Sequence, residues 1–252
     1  MIEALTYDDV LLLPQFSDIR SRSEVDISTD LGNGLKLGLP IISSPMDTVS
    51  EDLMARATSE EGACSIIHRY NTVSEQVDIV KKSIEGGASV VGAAVGVSDD
   101  FEERACSVFE AGAKIICIDI AHGHHQMMKT ALKDIREILG DKVIIIAGNV
   151  ATRKGYECLS DWGADAVRVG VGGGSICSTR IQTGHGIPTL QSIIDCAKSD
   201  RNTVIVADGG IKNSGDAAKA LAAGAHFVML GSVLAGTDET PGDLIRHGSQ
   251  GL

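Results

Sequence analysis

Aromatic residues make up only 3% of the 252-residue chain, too few for the stacking platforms that single-stranded nucleic-acid binders use. Positive charge is also scarce: 22 Lys and Arg stand against 34 Asp and Glu, a formal net charge of −12. That balance excludes non-specific attraction to nucleic acid or to an acidic membrane surface. An anionic ligand must then be held by a local device such as main-chain amides. No stretch approaches the roughly 18 uninterrupted apolar residues of a membrane span. The opening MIEALTYDDV lacks the basic and apolar regions of a signal peptide. Cys64, Cys106, Cys117, Cys158, Cys177 and Cys196 form no CxxC pair and no metal-ligand spacing. They read as reduced thiols of a cytoplasmic protein.

What is present is a repeat. Hydrophobic residues reach 43% and glycines number 29, enough for a large core with tight loops around it. Eight short apolar runs recur: Leu39–Met46, Ala63–His68, Val90–Gly96, Lys114–Ile120, Lys142–Val150, Ala166–Gly172, Thr203–Gly210 and His226–Ser232. Their starts lie about 23 to 28 residues apart, with one interval of about 37. Continuous rather than alternating apolar character marks parallel strands buried on both faces. Amphipathic segments lie between them, including Ser74–Ile84 with Ser74 as a cap, Asp99–Ala111 and Gln126–Leu139. Gly112, Gly140, Gly163 and Gly224 stand where helices should stop. Eight such units predict a single-domain (β/α)8 TIM barrel, with a doubly wound open sheet as the alternative. The reading gives an N-terminal extension over 1–38, strands and helices over 39–232, and an incomplete C-terminal part over 233–252 without a convincing last helix.

In such a barrel the chemistry sits at the carboxyl ends of the strands. Asp208-Gly209-Gly210 and Gly231-Ser232 close the seventh and eighth runs, where main-chain amides could cradle a phosphate, although tight turns also serve packing alone. Asp208 suits ribose hydroxyls better than phosphate. The long interval holds VGGGSICSTRIQTGHGIP, with Cys177 among glycines and Arg180 three residues on, a setting that can favour a thiolate nucleophile. The other five cysteines fall in helical or strand-like positions and read as core. His122, His124 and His125 do not have the spacing of a zinc helix and read as solvent-lining. Asp119, at the end of the fourth run, could accept hydrogen bonds from a second ligand's ribose. No GxGxxG follows a first strand, so a dinucleotide would not bind in the Rossmann manner.

The segments LTYDDVLLLPQFSD, SSPMDTVSE, IDIAHGHH, AGNVAT, VGVGGGSICSTR, ADGGIKNSGDAAKALAAGA and MLGSVLAGTDETPG together resemble the IMP dehydrogenase/GMP reductase family from Leu5 to Gly242. The resemblance implies a (β/α)8 barrel, a homotetramer or octamer, and a purine nucleoside monophosphate (GMP or IMP) handled with a nicotinamide cofactor. It implies Cys177 as the nucleophile at purine C2 and Thr179 as a proton donor to departing ammonia. Ser44, Met46, Ser175, Asp208, Gly209, Gly210, Gly231 and Ser232 would hold the nucleotide, and Asp119, Asn149 and Arg168 would line the cofactor side. The main-chain carbonyls of Gly172, Gly174 and Cys177 would hold a monovalent cation such as potassium. The second run passes directly into the third unit, with no room for an inserted regulatory domain. Ser21–Asp26 and Thr179–Gly186 resemble reductases, whereas AHGH, AGNVAT and GAAVGV resemble bacterial dehydrogenases. The balance is read as an NADPH-dependent GMP reductase, with an NAD-dependent IMP dehydrogenase as the alternative. The family's flap motif, with its Arg-Tyr pair or Glu, is not found before Leu252. This is read as truncation; a natural loss would give a catalytically silent nucleotide-binding barrel. An ordinary barrel for a sugar phosphate is a further competing class.

Overall fold

A computed structural model describes residues 3–242. Two 3-10 turns, Tyr7–Asp9 and Arg22–Glu24, precede a short antiparallel hairpin, β1 (Thr29–Asp30) and β2 (Lys36–Leu37). Eight parallel strands follow: β3 (Ile41–Ser43), β4 (Cys64–Ile67), β5 (Val91–Val95), β6 (Ile115–Asp119), β7 (Ile144–Val150), β8 (Ala166–Val169), β9 (Val204–Asp208) and β10 (Phe227–Leu230). Because β10 pairs with both β9 and β3, the sheet closes into a barrel. Closure excludes the open-sheet alternative. The connecting helices are α1 (Asp52–Glu60), α2 (Val73–Glu85), α3 (Phe101–Glu110), α4 (Gln126–Leu139) and α5 (Arg153–Asp161). A short α6 (Thr179–Thr183) lies inside the long connection after β8, before α7 (Thr189–Cys196) and α8 (Ser214–Ala222). None of these is long and apolar enough to cross a membrane.

The expected runs overshoot the strands at their ends. Leu39–Met46 shrinks to Ile41–Ser43 because Met46 N–H turns back to donate to the Ser44 carbonyl at 2.8 Å. Ser74 is not the cap of α2: Thr72 accepts from Glu75 N–H while the Glu75 carboxylate accepts from Thr72 N–H, a reciprocal capping box. His125, expected only to line solvent, caps α4 by accepting from Met127 N–H at 3.1 Å. Gly140 ends α4 as expected, with φ of 65°. Cys106 and Cys158 are half-buried helix residues rather than core, whereas Cys64, Cys117 and Cys196 are buried. Among the described residues no helix follows β10. Residues 243–252 of the expected incomplete C-terminal part lie outside the described residues.

Side-chain parity along the strands builds two cores. One residue set, including Ile42, Cys64, Ile66, Ile115, Ile144, Ile146 and Phe227, fills the barrel itself. The alternate set, including Ile67, Val95, Ile116, Ile145, Val169 and Ile205, packs outward against Val80, Leu132, Ile135 and Ile193 of the helices. The hairpin, which sequence patterning does not reveal, delivers Leu31 and Leu37 into the inner cluster. Leu31 is fully buried there, so Leu31→Ala should lower stability by roughly 2–5 kcal/mol. Urea unfolding would measure this, and a loss below about 1 kcal/mol would show that the hairpin merely rests on the barrel.

Candidate active site

The inward parity that fills the barrel also places charge at its mouth. Ile115, Cys117 and Asp119 share one side of β6, as do Val206 and Asp208 on β9, and Ala166 and Arg168 on β8. Cross-strand register sets Asp119 beside Gly148 of β7, and Gly148 beside Arg168. A Cβ on Gly148 would come within 2.5 Å of the Arg168 Cβ, so glycine there leaves the arginine room to extend. Arg168 donates to Asp119 Oδ1 at 2.6 Å and to Asp208 Oδ2 at 2.8 Å. Asn149 Nδ2 adds bonds to Asp208 Oδ2 and to the Gly170 carbonyl, both at 2.7 Å. Arg69 lies on the far side of Asp119, donating to its main-chain carbonyl at 3.2 Å.

Arg168 is only 5% exposed. Burial works against its charge, but Asp208 and Asp119 outweigh that and hold the guanidinium protonated. The arginine expected to line the cofactor side therefore sits beneath the rim and orients the two carboxylates that face it. Breaking such a buried arrangement from one side is costly. Arg168→Met should destabilise the protein by about 3–5 kcal/mol in urea unfolding. A change under 1 kcal/mol would mean that the two carboxylates stand without it.

Cys177 lies in the loop after β8, half-buried. Its N–H donates to the Gly174 carbonyl at 3.1 Å, and the loop folds back through a bridge between Val171 and Ile187. The Thr179 hydroxyl, with main-chain groups of Thr179 and Gly172, stabilises the thiolate more than burial opposes it, so the thiol titrates below the ordinary cysteine value. Cys64, Cys117 and Cys196 are pushed up to about 12, chiefly by burial. Thr179, expected as a proton donor to ammonia, thus lies where its hydroxyl favours the Cys177 thiolate.

A cavity of about 150 Å³ opens beside this loop, and all eight residues expected to hold a nucleotide line it: Ser44, Met46, Ser175, Asp208, Gly209, Gly210, Gly231 and Ser232. Gly209 and Gly210 have φ of 95° and 80°, and a Cβ on Gly209 would approach the Gly174 nitrogen to 2.9 Å. Only glycine lets the two turns meet. Cys177 itself is not on that wall, but its neighbours Ser175 and Ile176 are. A larger cavity of about 430 Å³ adjoins it, sharing Gly174, Ser175, Gly210, Ile211 and Ser232. His68 and Arg69, at the end of the second run and so read from the sequence as rim residues, do reach the mouth: Arg69 lies beside Asp119, and the buried His68 is bonded to Glu51 at 2.9 Å.

A family model described as the IMP dehydrogenase / GMP reductase domain matches residues 4–251. The chain belongs to that family. A crystal structure of inosine 5′-monophosphate dehydrogenase from Legionella pneumophila superposes with a TM-score of 0.90 at 44% identity, covering 97% of this chain and 74% of that one. Inosine-5′-monophosphate dehydrogenase of Nitrosopumilus maritimus is 33% identical over 368 aligned positions, 96% of this chain and 77% of its own length. GMP reductase of Leishmania major is 32% identical over 384 positions, covering 98% and 78%. The family is one of oxidoreductases acting on purine nucleoside monophosphates.

If the Thr179 hydroxyl holds the Cys177 thiolate, alkylation by iodoacetamide should select Cys177 over the three buried thiols. Its rate should rise with pH through a midpoint below that of a free cysteine. Thr179→Ala removes a group that favours the thiolate, so the midpoint should move to higher pH. Peptide mass spectrometry across a pH series measures both, and an unmoved midpoint contradicts the role given to Thr179.

Proposed function

We propose that this chain catalyses the reductive deamination of GMP to IMP and ammonia with NADPH through Cys177. The observation that supports the site is a thiol that titrates below the ordinary cysteine value on the loop whose Gly174, Ser175 and Ile176 wall a glycine-lined cavity. That cavity suits a phosphate and ribose without drawing on lysines.

Asp208 gives one carboxylate oxygen to Arg168 and Asn149. Its other oxygen is left to accept from ribose hydroxyls. Main-chain amides of Gly209–Gly210 and Gly231–Ser232, with the Ser175 and Ser232 hydroxyls, hold the phosphate. With the base so placed, the Cys177 thiolate adds to C2 and a C–S bond forms. Ammonia leaves from C2 as Thr179 passes it a proton. When bound, a nicotinamide cofactor supplies the hydride that replaces sulfur at C2. The residues at the ends of β4 and β6 fit such a group: Asp119 keeps Oδ2 free of Arg168, and the Arg69 Nε that faces it at 3.9 Å makes no hydrogen bond among the described residues. Asp119 orients the cofactor, Asn149 steadies Asp208, and Arg168 fixes both carboxylates.

The choice of direction rests on Ser21–Asp26 and Thr179–Gly186. Lack of an inserted domain does not contribute, because extra length occurs under both names. The Leishmania reductase aligns over 384 positions and the dehydrogenase of Cryptosporidium parvum over only 285. A second reading, oxidation of IMP to XMP with NAD, is favoured by the dehydrogenase name of the Legionella structure and of most of the similar relatives. It would add a monovalent cation on the carbonyls of Gly172, Gly174 and Cys177. A homotetramer or octamer in the cytoplasm is part of the same proposal.

Absorbance at 340 nm separates the readings. GMP with NADPH should give a fall, and IMP with NAD should give no rise. Cys177→Ala should cut turnover by about 10³-fold or more while leaving nucleotide binding intact. A rise with IMP and NAD alone would replace the reductase with the dehydrogenase, and silence in both assays would leave only a nucleotide-binding barrel.

A further inference from the structure

Tyr7 takes no part in the chemistry above. Its side chain is 95% buried, being 5% exposed, and its hydroxyl has no hydrogen-bond partner among the described residues. A buried donor without an acceptor is costly and uncommon. Its placement is well braced. The Tyr7 carbonyl accepts from Lys219 Nζ at 2.8 Å, and that ammonium lies 3.6 Å from the buried Asp216. Thr6 N–H and hydroxyl both donate to Asp9, at 2.7 and 2.8 Å, and Lys212 pairs with Asp8 at 3.3 Å. The N-terminal segment is thus strapped across the turn between β9 and α8.

The ring is turned toward the candidate phosphate cradle. Its Cε2, next to the carbon bearing the hydroxyl, lies 3.5 Å from where a Cβ on Gly210 would stand. Tyr7 lines the 430 Å³ cavity, which shares Gly210 and Ser232 with the nucleotide cavity and also receives Arg180 and Lys212. Burial and the nearby charges of Asp216 and Asp208 keep the phenol protonated. It is a donor without an acceptor, on a residue that lines the cavity adjoining the candidate phosphate cradle and packs against Gly210 of that cradle.

We propose that Tyr7 donates its phenolic hydrogen bond to the phosphate of the bound nucleotide, making the N-terminal segment one side of the substrate site. The proposal rests on the purine-nucleotide reading above, and it names a contact that reading does not require. Calorimetric titration of the wild-type chain and Tyr7→Phe with IMP and with inosine tests it. Phenylalanine keeps the ring and its packing, and inosine reports on everything except the phosphate. IMP should bind the variant about tenfold more weakly, the scale of one hydrogen bond to a charged group, with inosine affinity unchanged. Equal IMP affinity in both proteins, or equal weakening for both ligands, overturns the proposal. If wild-type protein binds IMP no better than inosine, the nucleotide reading itself fails and this contact falls with it.

Discussion

Arg168 is the constraint on which the mouth of this barrel depends. A chain with a net charge of −12 carries one buried guanidinium to the mouth of its barrel, where it meets a carboxylate from β6 and another from β9. The two acids stand across the barrel from each other and would repel or turn to solvent without a shared cation. Between them, the arginine and Asn149 occupy one oxygen of Asp208 and leave the other for ligand. The glycine opposite, Gly148, is what gives the arginine space.

In the proposed function, phosphate recognition in so acidic a molecule is assembled from the backbone. The Gly209–Gly210 turn meets the Cys177 loop so closely that a side chain on Gly209 would not fit between them. In the proposed function that closeness links binding to chemistry, because the Cys177 loop also forms a wall of the cavity. The same loop tunes the thiol through Thr179, on the first turn of α6. Family membership and the Legionella superposition fix the fold and the general substrate class. The proposed direction of hydride flow rests on short sequence segments, because both proposed reactions would use the same cysteine and nucleotide cradle.

The strands were legible because a parallel strand buried on both faces has no polar face to interrupt its apolar run. Their ends were not, since the Ser, Pro and Gly residues that leave the ladder at Ser44–Met46 or Gly170–Gly172 look like its continuation. The β1–β2 hairpin escaped notice because two-residue strands have no period to detect. The eight residues expected to hold a nucleotide were named through motif resemblance, and one cavity lined by all of them is a separate geometric observation. The orientation of Arg168 could not be read from sequence, because its partners lie 49 and 40 residues away and only barrel register sets their level. Tyr7 was hidden for the same reason: it faces Gly210 from the opposite end of the chain.

The central claim is that Cys177 and the glycine-walled cavity serve one ligand. Measuring the alkylation rate of Cys177 by peptide mass spectrometry, with and without saturating IMP, tests this directly. Bound nucleotide should slow modification of Cys177 severalfold, while inosine at the same concentration does so less. An unchanged rate with IMP demonstrably bound would separate the thiol from the cavity and contradict the account.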